Sequence, residues 1–429
     1  MARPAAAGDA GTPIATRARM RVQPAASVVL SLVVAACGLT ADDEVSSDGD
    51  EDDDDSYEPW APKADDQNGL GGTLTFTGAC ATGARTTIGA VGDVLLHGAL
   101  QQQGMARGFE SLWAPIADLV AKPDVMYANF EGPSASGVDA RGRAVRDPGL
   151  VFDNVVYSSY PQFNYHNDLV VDMIASGFDV VSTANNHTMD RRELGADKTI
   201  EAMRAASMPY TGSRRRDEPT APWHVTTDEN GFRLAWLACT YGTNGLPDPM
   251  QQVLGCWEDE TEMKALIGTL RATPGIDAVV VTPHWGDEYV ANPNRKQRDL
   301  AKRFVDAGAM LVIGSHPHVL QPWETITAAD GRQAFVIYSL GNFVSGQTHL
   351  ARRSSMLLYV GLTRSAQGVV VNGVSYVPLA MTTRAGVRGI EAIDRSGGNA
   401  DSRRMTVNMF GEKSVQPVDG PIVTARCPS

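Results

Sequence analysis

Cysteine is scarce in this 429-residue chain: there are five, none spaced as CxxC, which excludes a zinc knuckle. Beyond the N-terminal leader no apolar run is long enough for a transmembrane helix, and no internal repeat is present. Basic charge is short as well. The net charge is −13, with thirteen acids and one lysine between Asp42 and Asp66. The remainder is close to neutral and offers no basic face for nucleic acid.

Arg17, Arg19 and Arg21 precede an apolar run from Ala25 to Ala36, closed by Val34-Ala35-Ala36-Cys37. A basic n-region followed by a short h-region reads as a signal peptide over residues 1–36. The closing tetrapeptide resembles a lipoprotein processing site, with Cys37 lipid-modified. The expected location is therefore the bacterial cell envelope, exported and anchored to the membrane by lipid. An ordinary cleaved signal with a chance cysteine is the alternative, and a start at Met20 would shorten the leader. Residues 37–85 read as an acidic tether, since a run such as Asp48–Asp55 cannot bury itself. Outside the cytoplasm the four remaining cysteines suggest two disulfides. Cys239–Cys256 would close a local loop and Cys80–Cys427 would clasp the ends of the domain, with buried free thiols as the alternative.

From Thr86 apolar strands alternate with amphipathic segments. Strands are expected at 86–91, 124–129, 179–183, 233–239, 277–282, 310–313 and 334–338, and helices at 167–176, 192–206, 260–272 and 295–307. Continuous apolar strands between helices imply an α/β layered fold with buried sheets. After Ser355 β-like runs at 356–363 and 369–377 follow with no helix, suggesting a β-rich closing layer, and the last stretch from Arg384 is weakly patterned. The expected division is a main domain over 86–365 and a β-rich extension over 366–429 packing on it.

The expected strands repeatedly run into metal-capable side chains. Asp93 ends one, Glu131 a second, Asn186 and His187 a third, His284 a fourth, and His316 and His318 a fifth. Strand carboxyl ends in α/β sheets gather at one edge, where ligands bind. Each cluster alone has a plain reading as a turn residue, a helix cap or a satisfied core histidine. Four of the chain's eight histidines fall at these ends, however, and His316-Pro317-His318 can turn two imidazoles to one ion from an extended loop. Oxygen and nitrogen donors without thiolate suit Mn, Zn or Fe. Seven candidate ligands exceed one tetrahedral ion, which points to two ions with a carboxylate between them.

Gly92-Asp93, Asn129-Phe130-Glu131, Ala184–Asp190, His284–Tyr289, Gly314–Gln321 and Tyr338–Phe343 occur in an order that resembles the CapA-type capsule-synthesis family associated with poly-γ-glutamate. The resemblance covers about Thr86 to Leu362. It implies a fold similar to calcineurin-like metallophosphoesterases, a layered αββα sandwich with a β-rich C-terminal part. It further implies metal ligands at Asp93, Glu131, Asn186, His284, His316 and His318, with His187 assisting a leaving group or transition state. Asp190 and Glu288 are further acids at this edge, each a general acid/base or an orienting partner for an imidazole, with Asp190 alternatively a helix N-cap. The usual Asp-x-His first motif is absent: Asp93 is followed by Val94-Leu95, and His97 either reaches the site from the next turn or lies at the surface.

Three functions follow. One is a metal-dependent enzyme in synthesis, transfer or trimming of an anionic polymer such as poly-γ-glutamate, acting on the polymer or a phosphorylated substrate. The second is a general metallophosphoesterase. The third is a non-catalytic factor that binds polymer or assembles with capsule synthase and export membrane proteins.

Overall fold

A computed structural model describes residues 70–427. The leader, Cys37 and the acidic run all lie outside these described residues.

The chain first builds one sheet. β1 (Ala84–Leu95) leads into α1 (Gly98–Arg107) and the one-turn α2 (Ala117–Val120), then β2 (Val125–Phe130), α3 (Asp168–Ser176), β3 (Val180–Ser182), α4 (Arg192–Ala206) and β4 (Tyr210–Thr211). A second sheet follows from β5 (Val225–Glu229), β6 (Phe232–Thr240), α5 (Glu260–Ala272), β7 (Ala278–His284), α6 (Arg295–Ala307), β8 (Leu311–Ile313), β9 (Leu320–Thr327) and β10 (Gln333–Leu340). The chain then returns with β11 (Asn342–Ser345), β12 (Ser354–Ser365), β13 (Gly368–Arg384) and β14 (Val387–Ala392), and closes with α7 (Ile393–Ser396) and α8 (Ala400–Phe410). Strand order is β14-β13-β12-β1-β2-β3-β4 in the first sheet, with β11 also on β1, and β5-β6-β7-β8-β10-β9 in the second.

Three apolar layers hold these parts. Ile88, Val125 and Tyr127 of the first sheet meet Trp236, Val280, Ile313 and Ile337 of the second, with Tyr127 stacked on Trp236 at 5.4 Å. The outer face of the first sheet is covered by Leu169, Val170 and Met173 of α3. Met263 and Ile267 of α5 and Leu300 and Phe304 of α6 cover that of the second. The result is the four-layer αββα sandwich expected, each sheet buried on both faces. Local signals set the helix ends: Asn294 and Gln297 form a reciprocal capping box on α6, and Gly177 stops α3 in a left-handed conformation.

Three expectations are corrected. Residues 70–85, read as tether, pack on the domain: Gly71 N–H donates to the Trp323 carbonyl, the Trp323 indole to the Gly72 carbonyl, and Leu74 and Phe76 join the inter-sheet core. The chain beyond 365 is no added layer, because β12 pairs with β1 and β13 with β12, continuing the first sheet. A helix does follow Ser355: α8 buries Ser402, Thr406, Met409 and Phe410, a helical stripe half made of small polar residues that apolar periodicity does not reveal. Cys80 pairs with Cys427 and Cys239 with Cys256.

A chain starting at Arg85 loses both this packed segment and the Cys80–Cys427 bond. Relative to one starting at Leu70 it should be less stable by ~2–5 kcal/mol, read as a lower denaturant midpoint. Equal midpoints would mean the segment adds no stability.

Candidate metal centre

The parallel strands of both sheets end along a common rim, and the side chains just past those ends are buried together. Asp93 lies near the end of β1, where Gly92 is required: a Cβ there would lie 1.8 Å from the Gly341 carbonyl oxygen. The same carbonyl accepts from Asp93 N–H at 3.0 Å, so the close approach fixes the aspartate. Glu131 follows β2, Asn186 and His187 follow β3, His284 ends β7, and His316 and His318 follow β8. His316 and His318 are not in an extended loop: both have left-handed φ, 100° and 57°, a strain of ~1–3 kcal/mol each that the surrounding packing must hold.

Asp93 Oδ2 lies 3.1 Å from His318 Nδ1, which also faces Asn342 Oδ1 at 3.1 Å. Asn129 Nδ2 donates to Asp93 Oδ1 at 2.8 Å. His284 Nε2 lies 2.9 Å from Asn186 Oδ1, and its Nδ1 lies 3.0 Å from Ser315 Oγ. Glu131 Oε1 faces His284 Nε2 at 3.5 Å and His318 Nε2 at 3.7 Å. Two three-residue groups result, Asp93/Glu131/His284 and Glu131/His316/His318, each with donor atoms within 4.8 Å of one another, and Glu131 belongs to both.

Hydrogen-bond accounting tests whether this set suits a metal. Both oxygens of Glu131, Asn129 Oδ1 and His316 Nδ1 are buried without a partner. Buried polar atoms are ordinarily satisfied, and a buried carboxylate with two empty oxygens is costly. These orphans cluster where a cation would need donors, so the residues fit a divalent ion with oxygen and nitrogen ligands. Protonation follows from the same crowding. Burial, then the charge of Asp93, pushes the Glu131 carboxyl up to about 8. Burial would depress His318, but Glu131 and Asp93 outweigh it and lift it to about 9. Burial drops His284 to about 3, and holds His316 well below the usual histidine range. Asp93 is likewise opposed by burial, yet His318 keeps it below the usual carboxylate range.

The other expected residues divide. His187 Nδ1 meets Asp190 Oδ2 at 2.8 Å, and that oxygen also accepts from Phe163 N–H at 2.7 Å. Asp190 is thus an orienting partner of His187; it is not the N-cap of α4, a place Arg191 takes. Burial works against a charged His187, but the Asp190 charge raises its pKa. Glu288 is exposed, and its charge lifts Glu131, His284 and His318. His97 joins neither metal group: its ring packs edge-on against Phe163 at 5.4 Å and its Nδ1 accepts from Gly346 N–H. Three neighbours went unassigned in the sequence. Asn129 bridges Asp93 and His284, Ser315 contacts His284, and Tyr241 lies 4.4 Å from the His316 ring. Asn129 lies inside a recognisable motif, whereas β6 ends in residues that signal nothing.

A buried histidine–carboxylate cluster at the shared rim of an αββα sandwich defines a protein of metallophosphoesterase-like fold whose site residues could hold a metal ion. The chain belongs to the bacterial capsule synthesis protein PGA_cap family, whose model matches residues 87–347. It is similar to the capsule biosynthesis protein CapA of Bacillus anthracis, 27% identical over 67% of this chain and 66% of that protein. It is similar also to the PGA biosynthesis protein CapA of Bacillus subtilis, 28% identical over 65% of this chain and 68% of that protein. A probable polyglutamine synthesis accessory protein of Mycobacterium tuberculosis is 25% identical over 49% of this chain and 58% of its own length.

A ligand must shed its proton to take a cation. Glu131 and His318, raised to about 8 and about 9, are protonated below those values in the metal-free protein. Divalent-ion affinity should therefore rise by about tenfold or more per pH unit between roughly pH 6 and 8, with protons released on binding. Calorimetry in buffers of different ionisation heat checks this; affinity independent of pH would contradict it.

Proposed function

We propose that this chain is an exported, lipid-anchored member of its family whose buried centre holds two divalent ions, Mn, Zn or Fe, and acts on an anionic polymer such as poly-γ-glutamate or on a phosphorylated precursor of it. The observation carrying this reading is Glu131, buried with both oxygens unpartnered and shared by two ligand groups. Asp93, Glu131, Asn186, His284, His316 and His318 would hold the ions. When bound, such a pair polarises a phosphoryl or carbonyl oxygen and lowers the pKa of water.

The chain's own residues supply the rest. His187 has Nδ1 committed to Asp190, which leaves Nε2 to hold a proton for a departing group. Asn129 and Ser315 fix the His284 ring. The family names of the Bacillus relatives support capsule polymer as the substrate, and Cys37 supports anchoring beside synthase and export proteins in the membrane. A general phosphoesterase is less favoured because His97, the nearest histidine to the first motif, is held by Gly346 and Phe163.

His187→Ala should lower turnover of a γ-linked glutamate polymer by about 10²–10⁴-fold. Asp190→Asn should give a smaller loss, with divalent ion retained in both variants. Wild-type turnover of 4-nitrophenyl phosphate without any action on the γ-linked polymer would replace this reading with a general phosphoesterase.

A further inference from the structure

One guanidinium stands beside the centre without an anion. Arg352 is half-buried, and among the described residues its side chain has no ion pair and no hydrogen-bond acceptor. It is nevertheless fixed in place. Its guanidinium carbon lies 3.7 Å from the centroid of the Tyr289 ring, and that ring lies 6.0 Å from His318. Stacking on an aromatic face holds Arg while leaving its fork of N–H groups free for a ligand.

A relay of side chains connects this arginine to the centre. Asn342, whose Oδ1 faces His318, donates through Nδ2 to the Arg352 carbonyl at 2.8 Å and to Gln347 Oε1 at 2.9 Å. Gln347 in turn donates to the Tyr289 hydroxyl at 3.2 Å. Tyr289 itself holds a left-handed φ of 64°, which turns its ring between Arg352 and His318. Bulky residues adopt that conformation only when their surroundings impose it. Arg353 next along the chain is directed elsewhere, donating to Asn399 at 2.7 Å.

We infer that Arg352 is a substrate-recognition residue that receives an oxyanion, a carboxylate or phosphate of the substrate, at the mouth of the metal centre. The inference rests on the proposed function for its substrate class and deepens it. Guanidinium and oxyanion match as a bidentate, charge-assisted pair. The Asn342–Gln347–Tyr289 relay keeps that pair at a fixed offset from His318. A polymer carrying a carboxylate on every residue would thereby be set in register with the centre.

The test is binding, by calorimetry, of inorganic phosphate and of a γ-linked glutamate pentamer to chelator-treated protein, with metal content measured on matched untreated samples. Arg352→Met keeps the alkyl contact with Tyr289 and should weaken binding by about 10–100-fold. Arg352→Lys should fall between, and Arg353→Ala should bind as wild type. Loss confined to one probe identifies the oxyanion as phosphate or carboxylate. Equal affinity of wild type and both Arg352 variants, or no binding of either probe to wild type, overturns the inference. Untreated wild type that holds no divalent ion even after loading with Mn, Zn or Fe, while Arg352-dependent binding persists, would sink the metal reading and leave this one standing.

Discussion

Glu131 sets the terms for the rest of the site. Its carboxylate is wholly buried, neither oxygen has a hydrogen-bond partner, and two imidazoles stand 3.5 and 3.7 Å away. Without a cation a charged Glu131 is electrostatically expensive, as its raised pKa records, and the raised pKa of His318 shows the same carboxylates drawing positive charge to the site. A fold retains such a cost when the surrounding structure over-determines the group, and here both sheets contribute to doing so.

The over-determination is specific. Gly92 lets the Gly341 carbonyl reach β1 and lock Asp93. Asn129 ties Asp93 toward His284, and Asn342 ties His318 to the loop carrying Arg352. The left-handed backbone at His316 and His318 turns both rings to the same carboxylate. Positioning thus comes from rigid strand ends, with left-handed backbone in the loops after β7 and β8, at Tyr289, His316 and His318. A centre built in this way can hold donors ready for a cation with little reorganisation on binding.

Much of this was legible because it is local. Apolar stripes placed α4, α5 and α6 at 192–206, 260–272 and 295–307, and Val-rich runs placed the central strands within a few residues. The rule that ligands gather at strand carboxyl ends pointed to Asp93, Glu131, His284, His316 and His318 together. What escaped was non-local or polar. The pairing of β12 onto β1 joins backbones far apart in sequence, and no periodicity reports it. Helix α8 hides behind Ser402 and Thr406, and Gly71 and Gly72 are held by main-chain bonds to Trp323 and Met409 that no apolar pattern announces. The role of Asp190 stayed open among three readings for the same reason: only the fold brings His187 and Phe163 onto it and leaves Arg191 as the cap.

The most direct measurement is elemental analysis of the purified chain after loading with Mn, Zn or Fe, for wild type and Glu131→Gln. A carboxylate shared by two ligand groups predicts about two divalent ions per wild-type chain, with both lost or markedly weakened together in the variant. A wild-type chain that binds no ion, or a Glu131→Gln variant that keeps its full complement, would contradict a metal centre organised around Glu131.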